Sequence, residues 1–425
     1  MLGTTCDIDH ETEAGVMQDK TIVVGAGMVG LSTAWYLQEI GHEVTVIDRD
    51  GVAAGSSWGN AGWLSPGKTI PLANRDLWAY TPTALFDRDA ALHVPIPPSP
   101  RVVDFGLRFL RHANDKSWDK TMAKLTPMNL DALAAFDEML DGGVDAWTKK
   151  SPFIVAFKNE REAGGFIREV EGAVRHGQEV PFEEVDNPRE LVPHLSDNVG
   201  LVFRMGNQRY IEPGPFVNAL AEAVRRRGGD VRTGVEVRDV SSTRTPVVSL
   251  ATGERLQADN VVLATGAWLP ALARTLGVRT RVQAGRGYSF TVDTGEHPVD
   301  YPVYLPAQRL ACTPYQGRFR IAGTMEFKSP DAPFAPQRVA SMVRHAAEMF
   351  DGMDFDHRHD EWVGSRPVTP DGLPLVGATR APGVYVAGGH GMWGMVLGPA
   401  SGRALAHLIS TGETLDVIRD FDPLR

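Results

Sequence analysis

Cysteine is nearly missing: 425 residues hold two, Cys6 and Cys312. Two isolated cysteines build neither a disulfide framework nor a zinc site, so the chain suits a reducing compartment and is expected in the cytoplasm. No apolar run reaches the roughly 18 residues needed to cross a bilayer. The opening MLGTTCDIDHETEAGVMQDK is acidic and lacks the basic region and apolar stretch of a secretion signal, so residues 1–19 read as a loose, solvated extension. Basic charge is also scarce. The net charge is −10, and the longest basic block, Arg225-Arg226-Arg227, closes an amphipathic helix just before Gly228. Nucleic acid is therefore excluded as a partner. Repeats and low-complexity tracts are absent. With 43% hydrophobic and 23% charged residues the chain has the balance of a soluble globular protein, and its length calls for two domains.

Glycine, by contrast, is concentrated in two places. The first lies in KTIVVGAGMVGLSTAWYLQEIGHEVTVIDRD, which reads as strand, turn, helix, turn, strand. Ile22, Val23 and Val24 form a β-branched run suited to a buried parallel strand. Gly25, Gly27 and Gly30 then fit G-x-G-x-x-G, a helix follows until Gly41, and EVTVID ends on Asp48. Each part has a task in dinucleotide binding. Gly25 permits the tight turn, Gly27 admits a pyrophosphate, and Gly30 lets helix and strand pack closely. The helix N-terminus attracts the phosphate charge, and the terminal acid accepts from an adenosine ribose. These residues leave NAD and FAD both open.

Three later segments, 228–240, 258–270 and 381–391, read as strands leading to glycine turns, which implies a nucleotide domain assembled from discontinuous pieces. Between them, 152–158, 199–205, 281–291, 302–315 and 318–327 read as strands of a mainly antiparallel sheet, with Gln316-Gly317 as a hairpin turn. DFGLRFLRHAND and TPMNLDALAAFDEMLDGG have helical periodicity. Residues 75–100 read as irregular, and three uses stay open for them: covering a site, touching a membrane surface, or packing as an ordinary loop. The second glycine cluster, GGHGMWGMVLGPASG, puts six glycines into residues 388–402.

Four segments together resemble the FAD-dependent amino-acid and amine oxidoreductases of the D-amino-acid oxidase and glycine/sarcosine oxidase superfamily. They are the opening strand–turn–helix, GSSWGNAGWLSPG at 55–67, GRGYSFT at 285–291, and GSRPVTPDGLPLVG with GVYVAGGHGMWGMVLGP at 364–399. The resemblance extends over nearly the whole chain after the extension and is strongest to bacterial D-amino-acid dehydrogenases and glyphosate oxidoreductases. It implies an α/β (α+β) fold: a Rossmann-like FAD-binding domain of residues 20–95, 209–280 and 360–425, and a substrate domain of 96–208 and 281–359 on a mainly antiparallel sheet. It also implies a set of cofactor residues. Gly25, Gly27, Met28, Val29 and Gly30 belong to the first turn, with Asp48 and Arg49 at the end of the second strand. Ser56, Ser57, Gly59, Asn60, Ala61 and Gly62 match the loop beside pyrophosphate and flavin, Val237 the adenine position, and Ala264 and Gly266 the second glycine turn. Gly388, Gly389, His390 and Gly391 would pass the flavin ring, and Gly394, Met395 and Val396 would aim helical N–H groups at its pyrimidine. All six glycines of 388–402 read as one cradle. The sarcosine-oxidase branch tethers its flavin through a cysteine where this chain has Arg366-Pro367-Val368, so the resemblance implies non-covalent FAD.

The resemblance further assigns Arg366 to the substrate carboxylate, which a planar guanidinium grips with two parallel bonds. Pairing with a protein acid such as Asp371 is the alternative for this arginine. Arg286 and Tyr288, two apart in a strand, share a face that turns either to the site or to solvent; Tyr315 is a further candidate for the pocket wall. His390 is assigned to the flavin environment and not to proton transfer, because in the family's chemistry hydride passes directly from Cα to flavin N5. Trp393 either closes the pocket or packs, Cys312 reads as a small buried strand residue, and the turn Asp356–Glu361 offers no coherent metal-ligand set. The implied reaction oxidises the C–N bond of a D-amino acid or N-substituted amino acid to an imine, which water converts to an oxo acid and an amine or ammonia. Oxygen or a quinone would take the electrons, and peripheral attachment to the inner face of a membrane stays open. The alternatives are oxidative N–C cleavage of a secondary amine in a biosynthetic pathway, and a non-catalytic flavin-binding electron-transfer subunit.

Overall fold

The structure, a computed structural model, describes residues 18–87, 89–295 and 297–425. Cys6 and nearly all of the 1–19 extension lie outside the described residues. Ile22, Val23 and Val24 are buried on both faces of the Lys20–Val24 strand, as a central parallel strand under helices requires. That strand lies third in a six-stranded sheet ordered Asp230–Thr233, Glu43–Asp48, Lys20–Val24, Asn260–Leu263, Val384–Gly388, Leu375–Ala378. Only the last pair is antiparallel. Segments separated by hundreds of residues thus become neighbours. Because Val24 is level with Leu263, and Leu263 with Val386, the glycine turns that follow these strands leave the sheet along one edge. Ligands of open α/β sheets bind at that carboxyl edge.

The helix Met28–Glu39 packs against the helix Gly394–Thr411 with almost no side chain between them. A Cβ on Gly402 would stand 2.7 Å from the Thr33 amide nitrogen, and one on Gly398 would stand 3.0 Å from Met28 Cγ. These two glycines serve helix packing, which corrects the reading of all six as one cradle.

A second, nine-stranded sheet is mostly antiparallel. Its first three strands are His359–Val368, Gln283–Asp293 and Arg318–Phe327. Gln316 and Gly317 form the expected hairpin turn, both with positive φ. Three sequence readings change. Residues 302–315 contain two strands, Val303–Leu305 and Leu310–Tyr315, separated at Arg309. His359–Val368, which the sequence groups with the cofactor segments, hydrogen-bonds to Gln283–Asp293 in the second sheet. The segment 75–100 contains the helix Asp76–Phe86 despite Pro82 in its interior. Its Leu77, Tyr80 and Ala84 pack with Phe105, Phe109 and Phe327, so tertiary burial outweighs the weak local propensity. No helix among the described residues is long and apolar enough to cross a membrane.

Candidate active site

A cavity of about 350 Å³ opens where the three glycine turns meet the edge of the second sheet. The first turn is built as G-x-G-x-x-G physics demands. Gly25 sits at φ +117°, and a Cβ there would lie 2.4 Å from the Ala264 carbonyl oxygen. A Cβ on Gly30 would lie 2.0 Å from the Gly25 carbonyl oxygen, so this residue joins helix to strand and does not line the cavity. Gly25, Gly27, Met28 and Val29 do line it. The Met28 N–H donates to Ser57 Oγ at 3.3 Å; the N-cap residue, Gly27, supplies no side-chain cap, and the first turn holds no acid. This helix N-terminus therefore presents a local positive potential to the cavity.

Asp48 also reaches the cavity, but its carboxylate already accepts from the backbone N–H groups of Ala26, Asp50 and Gly51, at 2.8, 2.9 and 3.0 Å. Roughly one of its four acceptor sites is left for a ligand hydroxyl. Arg49 lies 5.0 Å over the Trp268 ring and is paired with Asp50 and Asp331, while Trp268 Nε1 donates to Asp331 at 2.8 Å. Ser56, Ser57, Asn60, Val237, Ala264 and Gly266 line the same cavity.

Gly59, Ala61 and Gly62 do not line it. A Cβ on Gly59 would strike the Trp362 ring at 2.2 Å, Ala61 O accepts from Thr313 Oγ1 and the Tyr315 hydroxyl at 2.7 Å each, and Gly62, at φ +73°, abuts Ile211. Gly59 and Ala61 fasten the 55–62 loop to the second sheet and Gly62 fastens it to the strand Arg209–Ile211; Tyr315 is part of that fastening and not of the cavity wall. Of the last cluster, Gly388, His390, Gly391, Gly394 and Met395 line the cavity. Gly389 packs on Thr369 and Leu375, and Val396 is in the core beneath. Trp393 packs, donating from Nε1 to Ile70 O at 2.9 Å.

Arg366 enters the cavity from the edge strand of the second sheet, with Pro367 beside it. Its Nη1 donates to Thr324 O at 2.7 Å, and no described carboxylate lies within 4.0 Å of its guanidinium. Asp371, the acid that sequence proximity suggests, is held by Arg425 through bonds of 2.9 and 3.2 Å. Burial lowers the Arg366 pKa to about 10, so it stays cationic at neutral pH.

Arg286 and Tyr288 do share a face, but it looks to neither the cavity nor solvent. Both are buried against Glu326, which Arg286 pairs at 3.4 Å and the Tyr288 hydroxyl meets at 2.9 Å. Gly287, between them, faces Arg366. One residue of alternation thus places this pair behind the sheet. Burial and Glu326 push the Tyr288 phenol well above its ordinary pKa.

His390 is also buried. Its Nε2 lies 2.9 Å from Ser401 Oγ, its Nδ1 has no partner, and desolvation lowers its pKa to about 4. The ring is neutral across the physiological range, which suits the environment role and not an acid's. Since the folded pKa is depressed below the ordinary 6.5, the proton binds the unfolded chain first as pH falls. Wild type should therefore lose about 2 kcal/mol more stability than His390→Asn between pH 7.5 and pH 5. Denaturant melts at the two pH values check this, and equal losses would remove His390 from the acid response.

Cys312 is buried in its strand. Among the described residues no cluster of three or more His, Cys, Asp or Glu is arranged for a metal, and His357 pairs with Asp354. Reading the sequence missed Thr265, Trp268, Glu236, Arg238 and Met392 in the cavity wall. All five adjoin residues the sequence did single out: Thr265 and Trp268 the second glycine turn, Glu236 and Arg238 Val237, and Met392 Gly391.

The site fits a bound dinucleotide on its own terms: a helix N-terminus without an acid in its first turn, glycines at 25 and 30 where a Cβ would clash, and two buried polar atoms without partners, Thr265 Oγ1 and His390 Nδ1, on its walls. A parallel sheet with this turn at its edge defines a dinucleotide-binding protein. Residues 20–408 match the family described as FAD dependent oxidoreductase, and the chain belongs to that family; its cofactor is FAD. It is similar to a D-amino acid dehydrogenase of Xylella fastidiosa (strain M23), 29% identical over 421 residues that span 94% of this chain and 95% of the relative. Glycine oxidase from Geobacillus kaustophilus shares the fold with a TM-score of 0.76 at 21% identity, over 96% of this chain and 99% of that one. So does an L-alpha-glycerophosphate oxidase from Mycoplasma pneumoniae with FAD bound, with a TM-score of 0.72 at 16% identity over 92% and 95% of the two chains.

Proposed function

We propose that the protein oxidises the C–N bond of an amino acid, a D-amino acid or an N-substituted one, with Arg366 gripping the substrate carboxylate. The observation that carries this is a desolvated guanidinium in the cavity wall, without a carboxylate partner among the described residues and next to the Gly388–Gly391 turn. A buried cation left unpaired is costly, and an anionic ligand resolves the cost. The similar D-amino acid dehydrogenase and glycine oxidase support the same substrate class.

Gly25–Val29 would hold the FAD pyrophosphate at the helix N-terminus, with Asp48 at the ribose and Gly388, His390, Gly391, Gly394 and Met395 along the flavin, bound without a covalent link. FAD supplies the hydride acceptor. The protein's part is to orient the substrate Cα by its carboxylate and to exclude water around a neutral His390. The imine product would hydrolyse to an oxo acid and an amine or ammonia. Electrons would leave to oxygen or a quinone, in the cytoplasm.

The test is an anaerobic visible spectrum of the holoenzyme during addition of D-, L- and N-alkyl amino acids. Bleaching of the oxidised-flavin band by one class identifies substrate and handedness together. A bound flavin that no member reduces would overturn the assignment.

A further inference from the structure

Arg366 lies on an unusually bare patch of sheet. In the antiparallel pairing of Gln283–Asp293 with His359–Val368, Arg366 stands opposite Gly285, and Gly287 stands opposite Gly364. A long side chain reaches its diagonal neighbour across such a ladder. Here the Arg366 guanidinium lies flat over Gly287: a Cβ at 287 would be 2.2 Å from each of Cζ, Nη1 and Nη2. Gly287 has no positive φ, so no left-handed backbone calls for glycine there, and the three atoms nearest to an added Cβ all belong to Arg366.

The strand on the other side completes the arrangement. Arg286 pairs with Glu326 and Tyr288 with Gly323, so Thr324 and Met325 together oppose Gly287 in a β-bulge. Thr324 is held at φ +54°, a region that β-branched residues avoid, and its carbonyl accepts the Arg366 Nη1 hydrogen at 2.7 Å. We propose that Gly287 and the Thr324 carbonyl form a seat that positions Arg366, with Gly287 as a positioning residue for carboxylate binding. The bare glycine surface sets the plane of the guanidinium and the carbonyl fixes one edge, leaving the other N–H groups for the substrate. This inference rests on the carboxylate role given to Arg366 above.

The fold should tolerate a methyl at 287, because the nearest atoms it meets are the far end of a flexible side chain. The guanidinium would give way, and a shift of about 1 Å is enough to weaken a two-point contact strongly. The experiment is a double-mutant cycle on the holoenzyme with wild type, Gly287→Ala, Arg366→Leu and both together. Anaerobic flavin reduction is followed with D-alanine, glycine, sarcosine and L-proline as probes, alongside the flavin-to-protein ratio and the unfolding midpoint.

The seat predicts that Gly287→Ala raises the half-saturating concentration of a reducing probe roughly tenfold or more, with flavin content and midpoint near wild type. In the Arg366→Leu background it should add nothing. A defect in Arg366→Leu with normal Gly287→Ala would overturn the seat alone, and so would losses that simply multiply. An unaffected Arg366→Leu, or a wild-type flavin that none of the probes reduces, would overturn the carboxylate reading and the seat with it. A crystal structure of Gly287→Ala gives a readout independent of substrate: a guanidinium found in its wild-type place refutes the seat.

Discussion

Arg366→Leu should lower kcat/KM by about 100- to 1,000-fold while the protein keeps its full complement of FAD. Leucine preserves apolar bulk but removes the charge and the fork that meets a carboxylate. The loss should fall mainly on KM if the contact is equally strong throughout the reaction, and on kcat if it tightens as Cα reaches the flavin. The protein itself loses only the hydrogen bond to Thr324 O, since no described acid depends on this arginine. Leucine even relieves the cost of a desolvated cation, so the unfolding midpoint should hold or rise. Steady-state kinetics with the amino acid that best reduces the flavin, together with a visible spectrum of the purified variant, checks both parts. Unchanged kinetics would remove Arg366 from substrate binding.

The second large effect concerns the first turn, where two glycines are required for different reasons. Gly30→Val should give a protein that purifies without flavin, because a Cβ there lies 2.0 Å from the Gly25 carbonyl oxygen and 3.2 Å from Ala264 Cβ. Those neighbours belong to backbone and core. The helix must retreat from the strand, which costs about 1–3 kcal/mol of overpacking and misplaces the turn that meets the pyrophosphate. Gly27→Ala provides the contrast. Its Cβ would meet only Ser57 Oγ, at 3.4 Å, so the apoprotein should melt as wild type does. FAD affinity should still fall, since Gly27 lines the cavity proposed to hold the pyrophosphate. Flavin-to-protein ratios and apoprotein melts separate the two. A Gly30→Val protein that retains FAD would mean the helix is free to shift, contrary to the packing argument.

The first motif was legible in the sequence because its chemistry is local. The turn, helix start and terminal acid span residues 25–48, and the positive φ of Gly25 and the contact of Gly30 with the Gly25 carbonyl are both set within that span. The cofactor and the assembly of a nucleotide domain from remote segments followed from motifs of this kind, read together through their family resemblance. Arg286 and Tyr288 were harder. Alternation showed that they share a face, yet which face depends on where Gly287 and Arg366 stand across the ladder, and that is set by the register with 359–368.

The final glycine cluster divides for the same reason. Spacing within 388–402 was visible, but whether a glycine meets a cavity or another helix depends on Met28 and Thr33, more than 350 residues earlier in the chain. Asp371 shows the converse. Proximity in sequence offered it to Arg366, while folding delivered it to Arg425. The sequence by itself determined the class of cofactor and the residue types able to bind it, because those rest on backbone sterics and formal charge. Only the tertiary structure decided which of those residues face the cavity and which charges remain unpaired, because both depend on contacts between segments that no local pattern encodes.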